Sequence, residues 1–338
     1  MSDTSITRRV TAADIARSLG ISRATVGFVL NDTPGQTISA ATRLRVVEEA
    51  KRLGYRPHSA ARALASGRTH LILMVLPDWP LDFTLRRNIE EASLALDEAG
   101  YSLITYTPHP TGAARPLWET LEPDVVMSLT GFAPEQVASI RAAGISTIIP
   151  DPDAPADRAY VEDGPRLQVE HLVALGHRRI AFAGSRDPRL ADLVSTRRAT
   201  FQHAAAALGL EPALTADFDY ADAAVPELIA HWRDAGVTAV AAYNDDIAAT
   251  TLGAALRLGL HVPEDLAVIG YDDTPLATMI EPQLSTVRID TAGLGRFSAA
   301  LAISAATGRP APEVGPEFTS ELIVRASTRP ATASEPSR

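Results

Sequence analysis

Two sets of side chains in this chain carry recognisable chemistry, and neither is a catalytic set. The first lies in the run Ser22-Arg23-Ala24-Thr25-Val26-Gly27-Phe28-Val29-Leu30-Asn31. The guanidinium of Arg23 presents paired N–H donors that match the two acceptors on a guanine edge. Ser22, Thr25 and Asn31 offer short polar groups suited to phosphate oxygens, contacts that orient a protein on a duplex without reading its sequence. Ala24 and Phe28 bring no donor, so the ring of Phe28 is limited to a thymine methyl or a sugar. The second set is dispersed. Asp78, Asp151, Asn244 and Asp272 each follow a short apolar run, and Arg197 follows the loop after another. Carboxylates, an amide and a guanidinium suit a polyhydroxylated small molecule, whose hydroxyls both donate and accept. Phe83 and Phe218 are candidates for the apolar walls such a pocket needs.

Patterns for covalent or metal chemistry are missing. There is no cysteine, so disulfides, thiolate metal sites and cysteine nucleophiles are excluded. Lys51 is the one lysine, and no G-x-G-x-x-G, G-x-x-x-x-G-K-[ST] or G-x-S-x-G run occurs. The eight histidines show no paired ligand spacing. Paired aspartates without a companion motif usually cap helices, which is the expectation for Asp246 and Asp273. No cofactor, no metal and no enzymatic activity are expected.

The first set must be held by short helices. Thr11 stands at an N-cap with Asp14 in the capping-box position, followed by Ile15, Ala16 and Leu19 at helical spacing. Gly20 ends that helix, Ile21 packs the turn, and Ser22 caps a second helix over Arg23–Leu30 with Val26, Val29 and Leu30 inward. Asn31-Asp32 and Pro34-Gly35 signal a loop. Ser39 caps a third helix, for which Leu44, Val47, Ala50 and Leu53 are the expected inward face and Gly54 the C-terminal stop. Helix, tight turn and second helix form the unit that inserts its second helix into the major groove. Charge agrees: residues 1–69 hold 11 basic and 5 acidic residues, leaving 20 basic and 36 acidic in the rest of a chain of net charge −10. A basic head on an acidic body is expected when only the head touches phosphate.

This head is similar to that of the LacI/GalR family of bacterial repressors. The match follows V-T-x-x-D-[IV]-A…[GA]-[IV]-S-x-x-T-V-x-x-[IV]-[LI]-N from Val10 to Asn31, then Thr42-Arg43, Gly54-Tyr55-x-Pro57 and Ala61-Arg62-x-Leu64. The resemblance implies that Thr11, Tyr55 and Ala61 join Ser22, Arg23, Ala24, Thr25, Phe28 and Asn31 at the DNA surface. It also implies that residues 58–67 fold on the operator with Leu64 wedged between base steps, as apolar side chains do when they kink a duplex. Taken alone, that segment reads equally as a flexible linker. Gly27 and Phe28 depart from the family's Ser and polar or basic residue, which implies an altered operator preference.

Behind the head, apolar runs at 71–76, 101–106, 124–129, 146–149, 179–184, 238–243 and 266–271 alternate with helical segments that close on glycine. That alternation implies doubly wound parallel sheets, and ligands of such sheets bind beyond the carboxyl ends of the strands. The resemblance implies a two-lobed body like the periplasmic sugar-binding proteins, with lobes near 70–161 and 162–288, a crossing over 289–316 and a last strand near Glu321–Val324. Asn244-Asp245, Gly270-Tyr271-Asp272-Asp273, Arg197, Asp151 and Phe218 fall on the family's effector positions. Tyr160 and Ile289 replace polar residues there, which weakens a sugar assignment and leaves a less hydroxylated ligand open.

The expected class is therefore an N-terminal all-α helix-turn-helix domain plus a two-lobed α/β effector domain of periplasmic-binding-protein type. The headpiece is expected at 1–57, the hinge or linker at 58–69, the effector-binding and dimerisation body at 70–330 and a disordered tail at 331–338. Expected partners are a near-palindromic double-stranded operator, a carbohydrate-like effector and a second copy of the chain, with no membrane contact and a cytoplasmic location. Two other functions fit the body by itself: a solute-binding protein, opposed by the basic head and the lack of an export signal at the N-terminus, and a sugar-active enzyme, opposed by the lack of an identifiable acid–base or nucleophile–base pair.

Overall fold

The computed structural model describes residues 10–30, 35–55, 68–109, 112, 114–154, 159–312, 315 and 320–328. It divides into two compact units, Met1–Leu71 with Glu122–Asp124, and Ile72–Leu121 with Val125–Arg338.

In the first unit three helices, α1 (Ala12–Leu19), α2 (Arg23–Leu30) and α3 (Ala40–Leu53), enclose a small core of Ile15, Ala16, Val26, Val29, Val46 and Ala50. Local chemistry sets each boundary. The backbone N–H of Thr11 donates to Asp14 Oδ2 at 2.9 Å, the N–H of Thr25 donates to Ser22 Oγ at 3.0 Å, and that of Thr42 to Ser39 Oγ at 3.2 Å. Gly20 ends α1 at φ 65°, a left-handed conformation that a side chain would strain. The α3 face differs from expectation. Leu44 is 59% and Val47 38% exposed, while Val46 and Ala50 are buried with Leu53 beside them. The inward stripe runs i, i+4, i+7 from Val46, and Leu44 lies two residues, or about 200°, round the helix from it.

The second unit has two lobes. In the first, strands β1 (Leu71–Val75), β2 (Ser102–Tyr106), β3 (Val125–Ser128) and β4 (Ile148–Ile149) form a sheet in the order β2-β1-β3-β4. Its helices are α4 (Phe83–Glu98), α5 (Leu117–Leu121) and α6 (Pro134–Ala142). After α7 (Ala159–Ala174), the second lobe builds β5 (Ile180–Ser185), β6 (Thr215–Phe218), β7 (Ala239–Ala242) and β8 (Ala267–Ile269) into a parallel sheet ordered β6-β5-β7-β8. Helices α8 (Ala191–Ala207), α9 (Val225–Asp234), α10 (Asp245–Arg257) and α11 (Leu276–Met279) accompany it.

The chain then leaves through β9 (Thr286–Arg288), and α12 (Thr291–Thr307) crosses back to the first lobe, where Ala299 and Ala302 join the core of Leu85, Ala92 and Leu96. Gly295 makes that crossing possible: a Cβ there would lie 2.3 Å from the carbonyl oxygen of Asn88. The last strand, β10 (Glu321–Ile323), pairs antiparallel with β9 as a separate ribbon, with Leu322 opposite Val287. No helix among the described residues is long and apolar enough to cross a membrane.

Candidate functional site

The amino end of α2 is a compact polar edge. Ser22, Arg23 and Ala24 are exposed and Thr25 and Phe28 half-buried. The hydroxyls of Ser22 and Thr25 lie 2.8 Å apart, so Ser22 serves first as the helix cap. Thr11 is exposed at the start of α1, and Tyr55 packs half-buried against the head core. Gly27 stands in the helix with nothing within 4 Å of where a Cβ would sit. Asn31, Ala61 and Leu64 lie outside the described residues.

In the body, the carboxyl ends of β7 and β8 converge. The buried side chain of Gln168 holds them together, its Nε2 donating to the carbonyls of Ala242 at 2.9 Å and Gly270 at 2.8 Å. Asn244 follows β7 and caps α10, its Oδ1 accepting the N–H of Ile247 at 2.9 Å. This corrects the expectation that Asp246 would be the cap. Asp272 follows β8 in a left-handed conformation at φ 103° and Asp273 at φ 50°, strained positions of the kind that cluster at ligand sites. Asp273 caps nothing. Its Oδ2 accepts from Arg288 Nε at 2.8 Å and its Oδ1 from Arg325 at 2.6 Å, tying the pocket loop to the β9–β10 ribbon.

Arg197, on α8, is buried behind Asp272. Its guanidinium lies over the ring of Tyr271 at 3.9 Å and that of Tyr243 at 4.7 Å, donates to the carbonyl of Tyr243 at 2.6 Å, and reaches Asp272 Oδ1 at 3.4 Å. Burial opposes its charge, but Asp272 and the two tyrosines outweigh that and raise its pKa. Burial pushes the Asp272 carboxyl well above the ordinary carboxylate range, with Arg197 pulling back and Asp245, Asp82 and Asp246 adding repulsion. Asp245 is fully buried. Burial raises it to about 6, against hydrogen bonds from the Thr286 hydroxyl and the Thr274 N–H, both at 2.6 Å. Glycine is required beside it, since a Cβ on Gly270 would fall 2.2 Å from Asp245 Oδ1.

These groups open onto a cavity of about 220 Å³ lined by Asp82 and Phe83 of the first lobe and Asn244, Asp245, Asp246, Asp272, Thr274, Pro275 and Leu276 of the second. Of the residues singled out from sequence, Phe83, Asn244 and Asp272 line it, and Arg197 backs it. Three do not reach it. Phe218 is 1% exposed and belongs to the second-lobe core, because β6 places its ring inward. Asp151 is exposed and accepts the N–H of Asp153 at 2.9 Å, closing its own turn. Asp78 is exposed and lies in the field of Arg189. Sequence reasoning missed Asp82, Asp246 and Thr274. Asp82 carries a legible signal, since it precedes α4 and its Oδ1 accepts the N–H of Leu85 at 2.8 Å as an N-cap.

A helix-turn-helix head and a two-lobed body with a polar cavity between its lobes, in one chain, define a class of protein: a DNA-binding regulator with a periplasmic-binding-protein-like domain. Comparison with known proteins agrees. Residues 11–58 match the model of bacterial regulatory proteins of the lacI family, and residues 169–328 that of the periplasmic binding protein-like domain. The chain is 32% identical to the HTH-type transcriptional regulator MalR of Streptomyces coelicolor, covering 94% of this chain and 96% of that protein. It is 30% identical to GalR of Escherichia coli, covering 94% and 95%. Its fold resembles that of the Lac repressor dimer bound to operator and the anti-inducer ONPF, with a TM-score of 0.74 at 23% identity over 95% of this chain and 99% of that one. It also resembles the regulator CelR in complex with cellobiose, with a TM-score of 0.60 at 25% identity over 94% and 100%. The chain belongs to the LacI family of bacterial regulatory proteins and is a transcriptional regulator, not an enzyme.

Proposed function

We propose that the protein is a cytoplasmic repressor that binds a near-palindromic operator as a homodimer and is controlled by a small polar metabolite, sugar-like in size, held between the two lobes. The observation that carries this reading is the cavity itself, lined from both lobes by Asp82 and Phe83 on one side and Asn244 and Asp272 on the other. A ligand there bridges the lobes and so favours one of their relative arrangements over another, which is the differential affinity that control requires. The coupling is reciprocal: a ligand that weakens operator binding is itself bound less tightly on the operator.

In this reading residues 1–57 are the head, 58–69 the hinge, 70–330 the body and 331–338 a tail. Arg23 reads a guanine, Ser22, Thr25 and Asn31 hold phosphates, Thr11, Ala24, Phe28, Tyr55 and Ala61 complete the DNA surface, and Leu64 wedges a base step. Arg197 orients Asp272, and Asn244 and Asp272 bind the effector. The operator complex of the Lac repressor and the cellobiose complex of CelR support both halves of the reading.

Genome-wide mapping of bound sites, followed by a reporter driven from the strongest site, tests it. Asp272→Ala is expected to keep repression and lose the response to the inducing metabolite. A chain that binds no duplex in the mapping, or an Asp272→Ala variant that responds normally, refutes it.

A further inference from the structure

The approach to β1 carries a clamp that the sheet itself does not need. β1 begins at Leu71 and β3 at Val125, and the N–H of Asp124 already joins their ladder by donating to the carbonyl of Leu71 at 2.9 Å. The carboxylate of Asp124 is used outside that ladder, on the two residues before β1. Its Oδ1 accepts the N–H of Thr69 at 2.8 Å and the Thr69 hydroxyl at 3.0 Å, and its Oδ2 accepts the N–H of His70 at 3.1 Å. The same hydroxyl lies 3.1 Å from the carbonyl of Glu122, so its proton is shared between two acceptors. Residues on both sides of the clamp are held in the left-handed region, His70 at φ 56° and Glu122 at φ 46°. Neither is glycine, and such conformations persist only where the surroundings enforce them. Hydrogen bonds from backbone N–H groups to a carboxylate are among the stronger kind, and here they are the enforcing contacts. Thr69, His70, Leu71 and Glu122–Asp124 all belong to the first compact unit.

We infer, building on the reading of this chain as a dimer on a two-part operator, that Asp124 is a positioning residue for DNA recognition. By pinning Thr69 and His70 it fixes the length of chain between each head and the body, and so the spacing of the half-sites that the dimer accepts. Thr69 is the last residue of the hinge in that reading, so a contact there acts on the head through the length of the connection. The magnitudes match. Without the carboxylate two more residues join the connection, and two extended residues span about 7 Å. One base pair advances a half-site by about 3.4 Å along the duplex. Release is therefore enough to absorb a one-base-pair change in spacing that the pinned chain resists. Were the carboxylate only a strand starter, spacing would not depend on it, because the backbone bond from Asp124 to Leu71 serves that purpose.

The test uses the full-length protein. Its half-site is first found by selection from random duplexes, and a second pool then separates two copies of that half-site by every spacing over one helical turn. Wild type is expected to favour one spacing about tenfold or more over its neighbours, since half-site spacing is set by the geometry of the dimer. Asp124→Ala is expected to reduce that preference to about threefold or less while selecting the same half-site sequence. Thr69→Val keeps the backbone donors and is expected to fall between the two, and Thr69→Ser, which keeps the hydroxyl, to match wild type. Circular dichroism verifies that each variant is folded, and a loss of stability alone lowers binding at every spacing alike. A folded Asp124→Ala variant that keeps the wild-type preference overturns the assignment, and so does a wild type that accepts neighbouring spacings equally. If Asp124→Ala does not fold, Thr69→Val decides: a preference as sharp as wild type overturns the assignment, and a broadened one supports it. A wild type that selects no half-site at all refutes the operator reading itself, and this assignment with it.

Discussion

Replacing Asp245 by asparagine isolates the energetics of the cavity floor. The carboxyl is completely buried, and burial raises its pKa from the usual 3.8 to about 6. A carboxyl whose folded-state pKa is raised favours the folded protein most when protonated. The stability it supplies is complete below pH 3.8 and is lost as pH climbs through about 6. The interval of about two pH units, at about 1.36 kcal/mol each, puts the loss at about 3 kcal/mol. Asparagine does not titrate, so it escapes that loss. Its amide oxygen can accept the Thr274 N–H, and its NH₂ can donate to Thr286 Oγ, which leaves the Thr286 hydroxyl proton without its acceptor at a cost of about 1 kcal/mol. Asp245→Asn is therefore expected to be about 1 kcal/mol less stable than wild type near pH 4 and about 2 kcal/mol more stable near pH 8. Intrinsic fluorescence reads the right unit without further labelling. Trp79, Trp118 and Trp232 are the three tryptophans of the chain and all lie in the body, so urea unfolding followed by tryptophan emission ignores the head. The quantity to plot is the difference in unfolding free energy between variant and wild type from pH 4 to 8, in which groups common to both proteins cancel. A difference that stays flat across that range would show that Asp245 is not the titrating group, and a difference that falls with pH would reverse the sign of the reasoning.

Two predictions concern the head. Gly27→Ala adds a methyl that meets nothing within 4 Å, so it is expected to stabilise the head by about 0.5–1 kcal/mol, the helix-propensity gap between the two residues; calorimetric melting that gives a lower transition for the variant argues against a continuous α2. Arg23→Ala is expected to relax preference at one base pair per half-site by about 1–3 kcal/mol, measured by selection from a randomised duplex pool, with an unchanged consensus excluding Arg23 as the reader.

The β-α-β rhythm of the body was legible because its central strands are continuous apolar runs. Leu71–Val75, Ile180–Ser185 and Ala239–Ala242 are buried on both faces and carry no alternation to confuse them. Two strands were not legible, the edge strand β6 and the ribbon strand β9. Thr215–Phe218 has one buried residue, and Thr286–Arg288 is three residues long, so neither shows a pattern above background. In α3 the apolar residues at 44, 46, 47, 50 and 53 occupy more of the helix than one stripe, and only the positions of α1 and α2 decide which of them turn inward. The same limit applies to the cavity. Asn244 and Asp272 sit at strand tips, where topology alone points to a ligand. Asp82 comes into the field of Asp246 from the other lobe, an apposition no local pattern encodes. Phe218 was misplaced for the related reason that β6 itself went unrecognised, and with it the strand whose end carries this ring into the second-lobe core.

The adjacent pair Asp272-Asp273 links what the cavity senses to what the rest of the body does. Both residues have positive φ, and both are non-glycine, so the loop is held in a conformation costing about 1–3 kcal/mol per residue unless its surroundings enforce it. The enforcing contacts run in two directions. Asp272 turns inward to Arg197 and the cavity, and Asp273 turns outward to Arg288 on β9 and to Arg325 just after β10. Arg325 is itself anchored, its Nη1 donating to the carbonyl of Leu284 at 2.8 Å and its N–H to Ser285 Oγ at 2.8 Å. A group that engages Asp272 therefore pulls on a loop whose next residue clamps β9, by which the chain leaves the second lobe, and the segment just after β10, on which it returns. Strain in that loop favours discrete alternatives over gradual deformation, which is the property a switch between two lobe arrangements needs.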